Sequence, residues 1–342
     1  MPSARLIQEL KDRYGVGPEY ASTYLAFWTQ PGGRHAGREF ASVDEILELP
    51  PPDSVWFDYA MSTNRRGRDL CDLIFALPQL SRAPRRFLDV GCGFGGLLAA
   101  FAGRGYEVRG IEIDAERVGL ARANCRDHGR MDADEVVTAG DILDDRLVDA
   151  LGRHDVVTVV DVIEHVLDVP RALAHVARLL NPGGLALLEI PNRHSLRFVA
   201  RDGHFSLFGI TLLDREQAMA YHRSAFRFAY DVGDYFNLDD YRRQLEGLGC
   251  QFAVVGTIPE ETAFGDVPAL VEGMRSAFER YVAETRPGLP PSVDAALQVN
   301  LGEYTAALAR DYQDALADSG RRPAFEERYL PDFWRVVAVK AP

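Results

Sequence analysis

A glycine-rich turn preceded by an acidic residue is the most informative stretch of the chain. Residues 87–96 read Phe-Leu-Asp-Val-Gly-Cys-Gly-Phe-Gly-Gly, so an apolar run meets Asp89 and then glycines at 91, 93 and 95. Glycine allows a tight turn and the close approach of a ligand that a Cβ would exclude. The segment Leu97–Gly103 is predicted to start a helix, so the glycine turn is also expected to offer free backbone N–H groups. The stretch therefore predicts a ligand site.

The charge of Asp89 predicts the kind of ligand. Gly91, Gly93 and Gly96 satisfy the dinucleotide pattern G-x-G-x-x-G, which favours a nicotinamide-dependent oxidoreductase. A carboxylate at the strand end would repel a pyrophosphate, whereas it suits a ligand with a cationic amino-acid moiety. S-adenosylmethionine (SAM) is such a ligand, and it is the cofactor that this turn favours.

Two further acids follow the next two predicted strands. Glu112 comes about 20 residues after the turn, where a carboxylate commonly binds ribose hydroxyls. Asp141, in Ala-Gly-Asp-Ile, is placed to accept a hydrogen bond from an adenine amino group. Asp114 competes with Glu112 but is interpreted as the cap of a helix that starts at Ala115.

The segment Asp161-Val-Ile-Glu-His165 follows the fourth predicted strand. If the chain is helical there, Asp161, Glu164 and His165 share one face. Three interpretations remain open. In the first, the segment has a purely structural role and closes a loop over the cofactor. In the second, His165 is a general base. In the third, the two carboxylates and the imidazole bind a divalent metal.

Alternating strands and helices from residue 85 onwards must position these side chains. Such alternation predicts an α/β fold with a doubly wound parallel sheet, whose ligands lie at the carboxyl ends of the strands. The predicted strands are Arg86–Val90, Glu107–Ile113, Glu135–Thr138, Asp155–Val160, Gly184–Ile190, Gln251–Gly256 and Trp334–Lys340. The predicted helices between them are Gly95–Gly103, Ala115–His128, Asp145–Leu151 and Val169–Leu180, the last ended by Asn181-Pro-Gly-Gly.

These motifs resemble the class I SAM-dependent methyltransferases. The resemblance rests on Asp89-Val-Gly-Cys-Gly-Phe-Gly, Gly110-Ile-Glu112, Gly140-Asp141-Ile142 and Asn181-Pro-Gly-Gly. It implies a seven-stranded Rossmann-like sheet and SAM as cofactor. The cofactor-binding residues it implies are Asp89, Gly91, Cys92, Gly93, Gly95, Glu112, Ile113, Asp141, Ile142 and Asp161. Cys92 is interpreted as a small filler of the turn rather than a nucleophile.

A second, narrower resemblance concerns metal. The pattern acid-x-x-Glu-His is similar to the metal-binding motif of small-RNA 2′-O-methyltransferases, in which a later histidine completes the site. If this chain binds a metal, the ligands implied are Asp161, Glu164, His165 and His204. Neither His204 nor His222 has the spacing of that family, so a metal is not favoured.

The acceptor is predicted to contact the residues after the fifth strand. The run that starts at Asp202-Gly-His204 is similar to a segment of bacterial glycan methyltransferases. His204 is the first choice there for contact with substrate, ahead of His222 and His194. The candidate catalytic residues are therefore His165, His204 and His222.

The composition excludes some classes of partner. The chain has 342 residues and a formal net charge of −13, which opposes binding to nucleic acid or an anionic membrane. It has no apolar run of 18 residues, and its four dispersed cysteines are typical of reduced thiols. We therefore expect a cytoplasmic protein without a membrane span.

The sequence thus predicts a SAM-dependent methyltransferase that O-methylates a small molecule or sugar and releases S-adenosylhomocysteine (SAH). The alternatives left open are an N-methyltransferase, a metal-dependent RNA 2′-O-methyltransferase and a non-catalytic SAM-binding scaffold. The helical insertion offers a face for a possible homo-oligomer. The predicted domains are an N-terminal helical cap (1–80), a SAM-binding core (81–195), substrate-side loops (196–257), a helical insertion (258–330) and a final core strand (331–342).

Overall fold

The computed structural model describes residues 2–80, 85–260 and 262–342. Seven strands lie in one sheet. They are β1 Arg86–Val90, β2 Glu107–Glu112, β3 Val137–Ala139, β4 His154–Val159, β5 Leu180–Pro191, β6 Cys250–Ile258 and β7 Phe333–Lys340. Their order is β3-β2-β1-β4-β5-β7-β6. The order runs outward from β1 in one direction and from β4 in the other, which confirms the doubly wound sheet.

Strand β1 pairs in parallel with β2 on one side and β4 on the other. Its residues Phe87–Val90 are buried, as expected for a central parallel strand with both faces covered. In this register Asp89 lies opposite Gly110 of β2 and Thr158 of β4. The carboxylate is therefore placed near the carboxyl end of the strand that leads into the glycine turn.

Five helices precede the sheet. They are α1 Ala4–Tyr14, α2 Pro18–Thr29, α3 Val43–Leu47, α4 Asp53–Met61 and α5 Thr63–Ala76. Buried apolar side chains of α1 to α4 form one hydrophobic cluster that also takes in Leu120 and Ala123. Tyr20 is fully buried in it, and its hydroxyl donates to the carbonyl of Ala60.

Five helices lie between the first five strands in sequence, and all but Ala133–Val136 fall close to their predicted positions. They are α6 Gly96–Ala102, α7 Ala115–Asp127, α8 Ala133–Val136, α9 Asp145–Leu151 and α10 Val169–Leu179. The cap predicted at Asp114 is confirmed, since its carboxylate accepts the N–H groups of Glu116 and Arg117.

Strands β3 and β5 begin furthest from their predicted starts. Residues 135 and 136 belong to α8, and only Val137–Ala139 pair with β2. Glu135 donates its N–H to the carbonyl of Asp132, so the chain closes a helical turn before it becomes extended. Strand β5 begins at Leu180, four residues before the predicted start at Gly184.

The remaining helices belong to the second half of the chain. They are α11 Leu196–Ala200, α12 Arg215–Ala225, α13 Leu238–Gly247, α14 Val267–Arg280, α15 Pro291–Ala317 and α16 Arg322–Tyr329. Helices α12, α14, α15 and α16 contribute to a separate hydrophobic cluster in which Tyr221, Leu297 and Tyr329 are fully buried.

The chain separates into two compact units. The first unit comprises residues 1–160, 174–187 and 339–342, and the second comprises 161–173 and 188–338. The five-part domain division stays a prediction. All four cysteines are buried and none forms a disulfide, and no helix in the described part of the chain is long and apolar enough to cross a bilayer.

Candidate functional site

The glycine turn lies in the first unit, and its backbone N–H groups are mostly bonded within the protein. The N–H groups of Gly91 and Cys92 both donate to the carbonyl of Ile111, at 2.8 and 2.9 Å. The N–H of Gly93 donates to Glu112 Oε2 at 2.9 Å. The expectation of free N–H groups in the turn is therefore wrong for these residues, because the end of β2 already satisfies them.

This bonding decides against an anion cradle. A pyrophosphate-binding turn presents several unsatisfied N–H groups to the phosphate oxygens. Here the N–H of Gly93 already donates to the Glu112 carboxylate, and the negative charge of that carboxylate would repel a phosphate. The turn therefore fits a ligand that is not anionic at this point.

Close packing between helices explains why some residues in and near the turn are glycines. A Cβ on Gly96 would lie 2.2 Å from the carbonyl oxygen of Thr63, and one on Gly67 would lie 2.3 Å from the carbonyl carbon of Gly96. Helices α5 and α6 thus touch backbone to backbone. Gly95 has φ +76°, and a Cβ there would be 3.1 Å from Ala121. These glycines bring helices together, so their predicted contact with a cofactor stays a prediction.

Asp89 is a buried carboxylate without a cationic partner among the contacts it makes. Asp89 is only 4% exposed, and its Oδ1 accepts a hydrogen bond of 2.7 Å from the hydroxyl of Thr158. Burial raises the pKa of Asp89 to about 7, and the nearby Glu112 adds to the shift. A bound cation would relieve this cost.

Glu112 ties the glycine turn to the end of β2. Besides the Gly93 N–H on Oε2, its Oε1 accepts the N–H of Asp114 at 3.0 Å. Each carboxylate oxygen retains a further acceptor position, so ribose hydroxyls can still bind. The next residue, Ile113, is 72% exposed and presents the apolar surface that a flat base would cover.

Asp141 and Ile142 follow β3, as predicted, but they differ in exposure. Asp141 is exposed and accepts the N–H of Leu143 at 2.9 Å. Ile142 is 5% exposed, and its carbonyl bonds to His175 Nδ1 at 2.7 Å. An exposed carboxylate oxygen is available to an amino group, whereas the Ile142 side chain has little free surface. The thiol of Cys92 is buried, and burial raises its pKa well above the usual value, which excludes a ready thiolate.

In the second unit, the segment from Asp161 to His165 is not an α-helix. Asp161 has φ 54°, and only Ile163–His165 form a single 3₁₀ turn. The expected shared helical face is therefore absent. Glu164 is 3% exposed, and its buried Oε2 has no hydrogen-bond partner among the described residues. Burial, and next the charge of Asp161, raise the pKa of Glu164 to about 8.

His165 and His204 lie together beside Glu164. Their rings are perpendicular, with centroids 5.2 Å apart. One ligand-type atom from each of Glu164, His165 and His204 lies within 4.8 Å of the other two. These three could hold a divalent ion. The long loop after β5 returns His204 to this segment, although its spacing in the sequence differs from that of the small-RNA 2′-O-methyltransferases.

Hydrogen bonds orient both imidazoles. His165 Nδ1 lies 2.9 Å from the carbonyl of Asp231, and His204 Nδ1 lies 3.3 Å from the hydroxyl of Tyr235. A carbonyl only accepts, so His165 Nδ1 carries the proton and Nε2 has the lone pair. Burial, together with the charge of His165, lowers the pKa of His204 to about 4, so His204 is neutral near pH 7.

The comparison with protein families decides the assignment. The family model described as a methyltransferase domain matches residues 61–254, which is more than half of the chain. The chain belongs to the methyltransferase-domain family. The resemblance to SAM-dependent methyltransferases predicted from the sequence is thereby confirmed.

Curated relatives of this methyltransferase domain include two ubiquinone biosynthesis O-methyltransferases. The one from Thiobacillus denitrificans is 35% identical over 122 residues, which are 35% of this chain and 51% of the relative. The one from Rhodopseudomonas palustris is 30% identical over 164 residues, 48% of this chain and 57% of the relative. The chain thus spans about half the length of the curated relatives it matches. A solved SAM-dependent methyltransferase from Archaeoglobus fulgidus is 14% identical, with a TM-score of 0.43, over 83% of this chain and 99% of that one.

The other two candidate histidines of the methyltransferase domain lie in different surroundings. His222 is fully buried on α12, and its ring packs against Phe205, Phe226 and Phe228. Neither ring nitrogen has a hydrogen-bond partner within the described part of the chain. A base must reach its proton, so this position argues against catalysis by His222. His194 is partly buried beside Tyr304, and burial lowers its pKa to about 4.

Sequence reasoning missed several residues that hold the site. Thr158 bonds to Asp89, and Asp231 and Tyr235 orient the two histidines. Thr158 is one polar residue within an apolar strand, which is a weak signal. Asp231 and Tyr235 lie in an irregular loop, and no periodicity indicates their place.

Proposed function

We propose that the chain transfers the methyl group of SAM to a hydroxyl of a small molecule or sugar and releases SAH. The observation that carries the proposal is the buried Asp89, which contacts no cation among the described residues, beside a turn in which the N–H groups of Gly91, Cys92 and Gly93 are already bonded. Such a turn favours a cationic ligand over a diphosphate. The names of the curated relatives support oxygen as the methylated atom.

Methyl transfer from SAM requires mainly that the protein position the acceptor oxygen in line with the methyl group. The acceptor oxygen attacks the methyl carbon, the carbon–sulfur bond breaks, and the sulfonium becomes a neutral thioether. In-line positioning and exclusion of water supply much of the acceleration. The hydroxyl proton must leave, and we assign it to Nε2 of His165, because the Asp231 carbonyl fixes the proton on Nδ1. His204 and Glu164 then position His165.

Two observations weigh on the alternatives. A nitrogen acceptor would not require the His165 lone pair, because an unprotonated amine attacks directly. The net charge of −13 argues against an RNA acceptor. A divalent ion on Glu164, His165 and His204 would replace the base by a Lewis acid, and chelation distinguishes the two.

Mass spectrometry tests the proposal. The protein is incubated with isotopically labelled SAM and a metabolite extract, and Asp89→Asn serves as the control. We expect a product that gains the mass of one labelled methyl group in place of a hydroxyl proton, and little of it with the variant. Products methylated only on nitrogen, or SAM binding without turnover of any acceptor, would contradict the proposal. The predicted cytoplasmic location and homo-oligomer stay predictions.

A further inference from the structure

A polar cavity of about 590 Å³ lies within the second unit. Its wall comes from the residues after β5, the start of α12, the loop at residues 234–235 and the helices α15 and α16. Small-molecule sites commonly have volumes of about 300–1,000 Å³. The cavity is therefore large enough for a ligand of one or two rings.

Arg193 is the main hydrogen-bond donor in the wall. Its two terminal nitrogens donate to the carbonyls of Tyr235 and Leu212, at 3.0 and 3.1 Å, and its buried Nε has no acceptor among the described residues. Burial lowers the pKa of Arg193, and the charges of Asp234 and Asp240 only partly offset this. The guanidinium thus lacks one hydrogen-bond acceptor. Asn300 also donates to the Leu212 carbonyl, which leaves its second N–H and its oxygen available.

Acceptors in the wall balance these donors. Asp214, Asp234 and Glu303 line the cavity and are exposed. His194 also lines it and is neutral near pH 7, because burial and the charges of Arg193 and Arg328 lower its pKa to about 4. A neutral imidazole offers one lone pair. Arg328 is already paired with Asp311 at 3.2 Å.

The mixture of carboxylates and guanidinium groups in the wall favours a ligand without net charge. Three carboxylates would repel an anion, and two guanidinium groups would repel a cation. A hydroxyl both donates and accepts, so a ring with several hydroxyls can satisfy Asn300, His194 and the carboxylates together. The ring of Tyr304, which stacks near His194 with centroids 6.1 Å apart, adds an apolar face.

We infer that this cavity binds a neutral polyhydroxylated ring, that is, a sugar unit of the methyl acceptor. The inference rests on the proposed function, since it names the acceptor class and the place that holds it. It also accounts for the helical insertion, because α15 supplies Asn300, Glu303 and Tyr304.

Saturation-transfer NMR with neutral methyl hexopyranosides tests the inference. The full-length protein is compared with Ala307→Trp, which fills the cavity from α15, and with Ala306→Trp, its exposed neighbour on the same helix. We expect saturation transfer to the glycosides with the wild type and Ala306→Trp. With Ala307→Trp we expect binding at least about tenfold weaker and SAH affinity unchanged. Glucuronate and glucosamine serve as anionic and cationic probes, and we expect weaker binding for both.

Failure of the inference and failure of the proposed function have different signatures. Glycoside binding that Ala307→Trp leaves intact, or a preference for either charged probe, would overturn the inference. Methylation of a sugar-free phenol by a wild type that binds no glycoside would overturn the inference and leave the proposed function standing. Cavity-dependent glycoside binding without methylation of any acceptor would support the cavity assignment and contradict the proposed function.

Discussion

Asp89 is buried, which disfavours its ionised form, yet its proposed role of binding a cationic group requires the negative charge. With its pKa raised to about 7, the carboxyl is only partly ionised in the unliganded protein at neutral pH. A cationic amino-acid group bound beside it would favour the ionised form and lower this pKa. Ligand binding at Asp89 should therefore release a proton.

The first prediction concerns Asp89→Asn. The amide keeps the shape and can still accept from Thr158, but it carries no charge. We expect SAH affinity to fall by about 10- to 100-fold, because hydrogen bonds to charged groups contribute about 1.5–3 kcal/mol. Calorimetry measures this. Equal affinities of the variant and the wild type would contradict the role of Asp89.

The second prediction concerns pH. The ligand requires ionised Asp89, so affinity should be full above the pKa and fall as pH drops through it. Between about pH 8 and pH 6 we expect SAH binding to weaken by about tenfold. In Asp89→Asn this part of the pH dependence should vanish, and the variant thereby corrects for titration of the ligand itself. Parallel pH profiles for both proteins would show that Asp89 does not titrate in this range.

The third prediction concerns His165. Replacement by Ala removes the proposed base, which typically contributes about 10²–10⁴-fold. We expect kcat to fall within that range while SAH affinity stays the same. His175→Ala, which removes a buried histidine of the first unit, serves as a comparison for nonspecific loss of stability. Unchanged kcat in the His165 variant would remove the base assignment.

The fourth prediction separates base from metal. If His165 Nε2 takes the proton directly, turnover should persist after treatment with EDTA in metal-free buffer. Loss of turnover, with recovery on adding one divalent cation, would place an ion on Glu164, His165 and His204 instead. Rates before and after chelation provide the measurement.

At the residue scale, the positions of Asp89 and Glu112 could be predicted from the sequence better than the positions of the side chains around His165. Asp89 and Glu112 could be found because a strand end and a glycine turn fix where their side chains lie. His204 could be named but not placed beside His165, since a loop without periodicity connects them. Glu164 was predicted only as a member of the motif from Asp161 to His165. Its burial could not be predicted, because it depends on the loop that brings the N–H of Gly233 to the Glu164 carbonyl at 2.5 Å.

At the element scale, the turn depends on the contact between α5 and α6. Gly67 and Gly96 face each other there, and neither position has space for a Cβ. The helix that follows the turn is therefore held against the N-terminal helices by backbone contact.

The fifth prediction tests this contact. Gly96→Ala should lower the free energy of unfolding, because its Cβ would overlap the carbonyl of Thr63. Gly119→Ala is the matched control on α7, where a Cβ meets nothing within 4 Å. That change should stabilise the protein by about 0.5–1 kcal/mol. Chemical denaturation measures both, and a Gly96 variant as stable as the wild type would contradict the packing argument.

Elements with strong local signals were predicted closely. Strand β1 and helix α9 have the predicted bounds, since apolar runs and an acidic cap define them. Strand β3 was misplaced because Ala133–Val136 closes a helical turn through Asp132. Helix α16 lies within the helical insertion predicted at 258–330, but its own bounds were not predicted, since its polar sequence gives little periodicity.

At the scale of the whole chain, alternation of strands and helices was enough to predict the α/β sheet, and the four acidic and glycine motifs were enough for the family. Of the wall of the cavity in the second unit, only His194 was predicted to contact substrate. The wall joins Arg193 to Asn300 and Arg328, which follow it by more than a hundred residues in sequence.

The central claim is that the glycine turn and Asp89 bind a cationic methyl donor and not a dinucleotide. Titration calorimetry of the wild type with SAM, SAH and NAD tests it most directly. We expect saturable binding of SAM and SAH and no heat of binding with NAD. Saturable binding of NAD, without binding of SAM or SAH, would contradict the account.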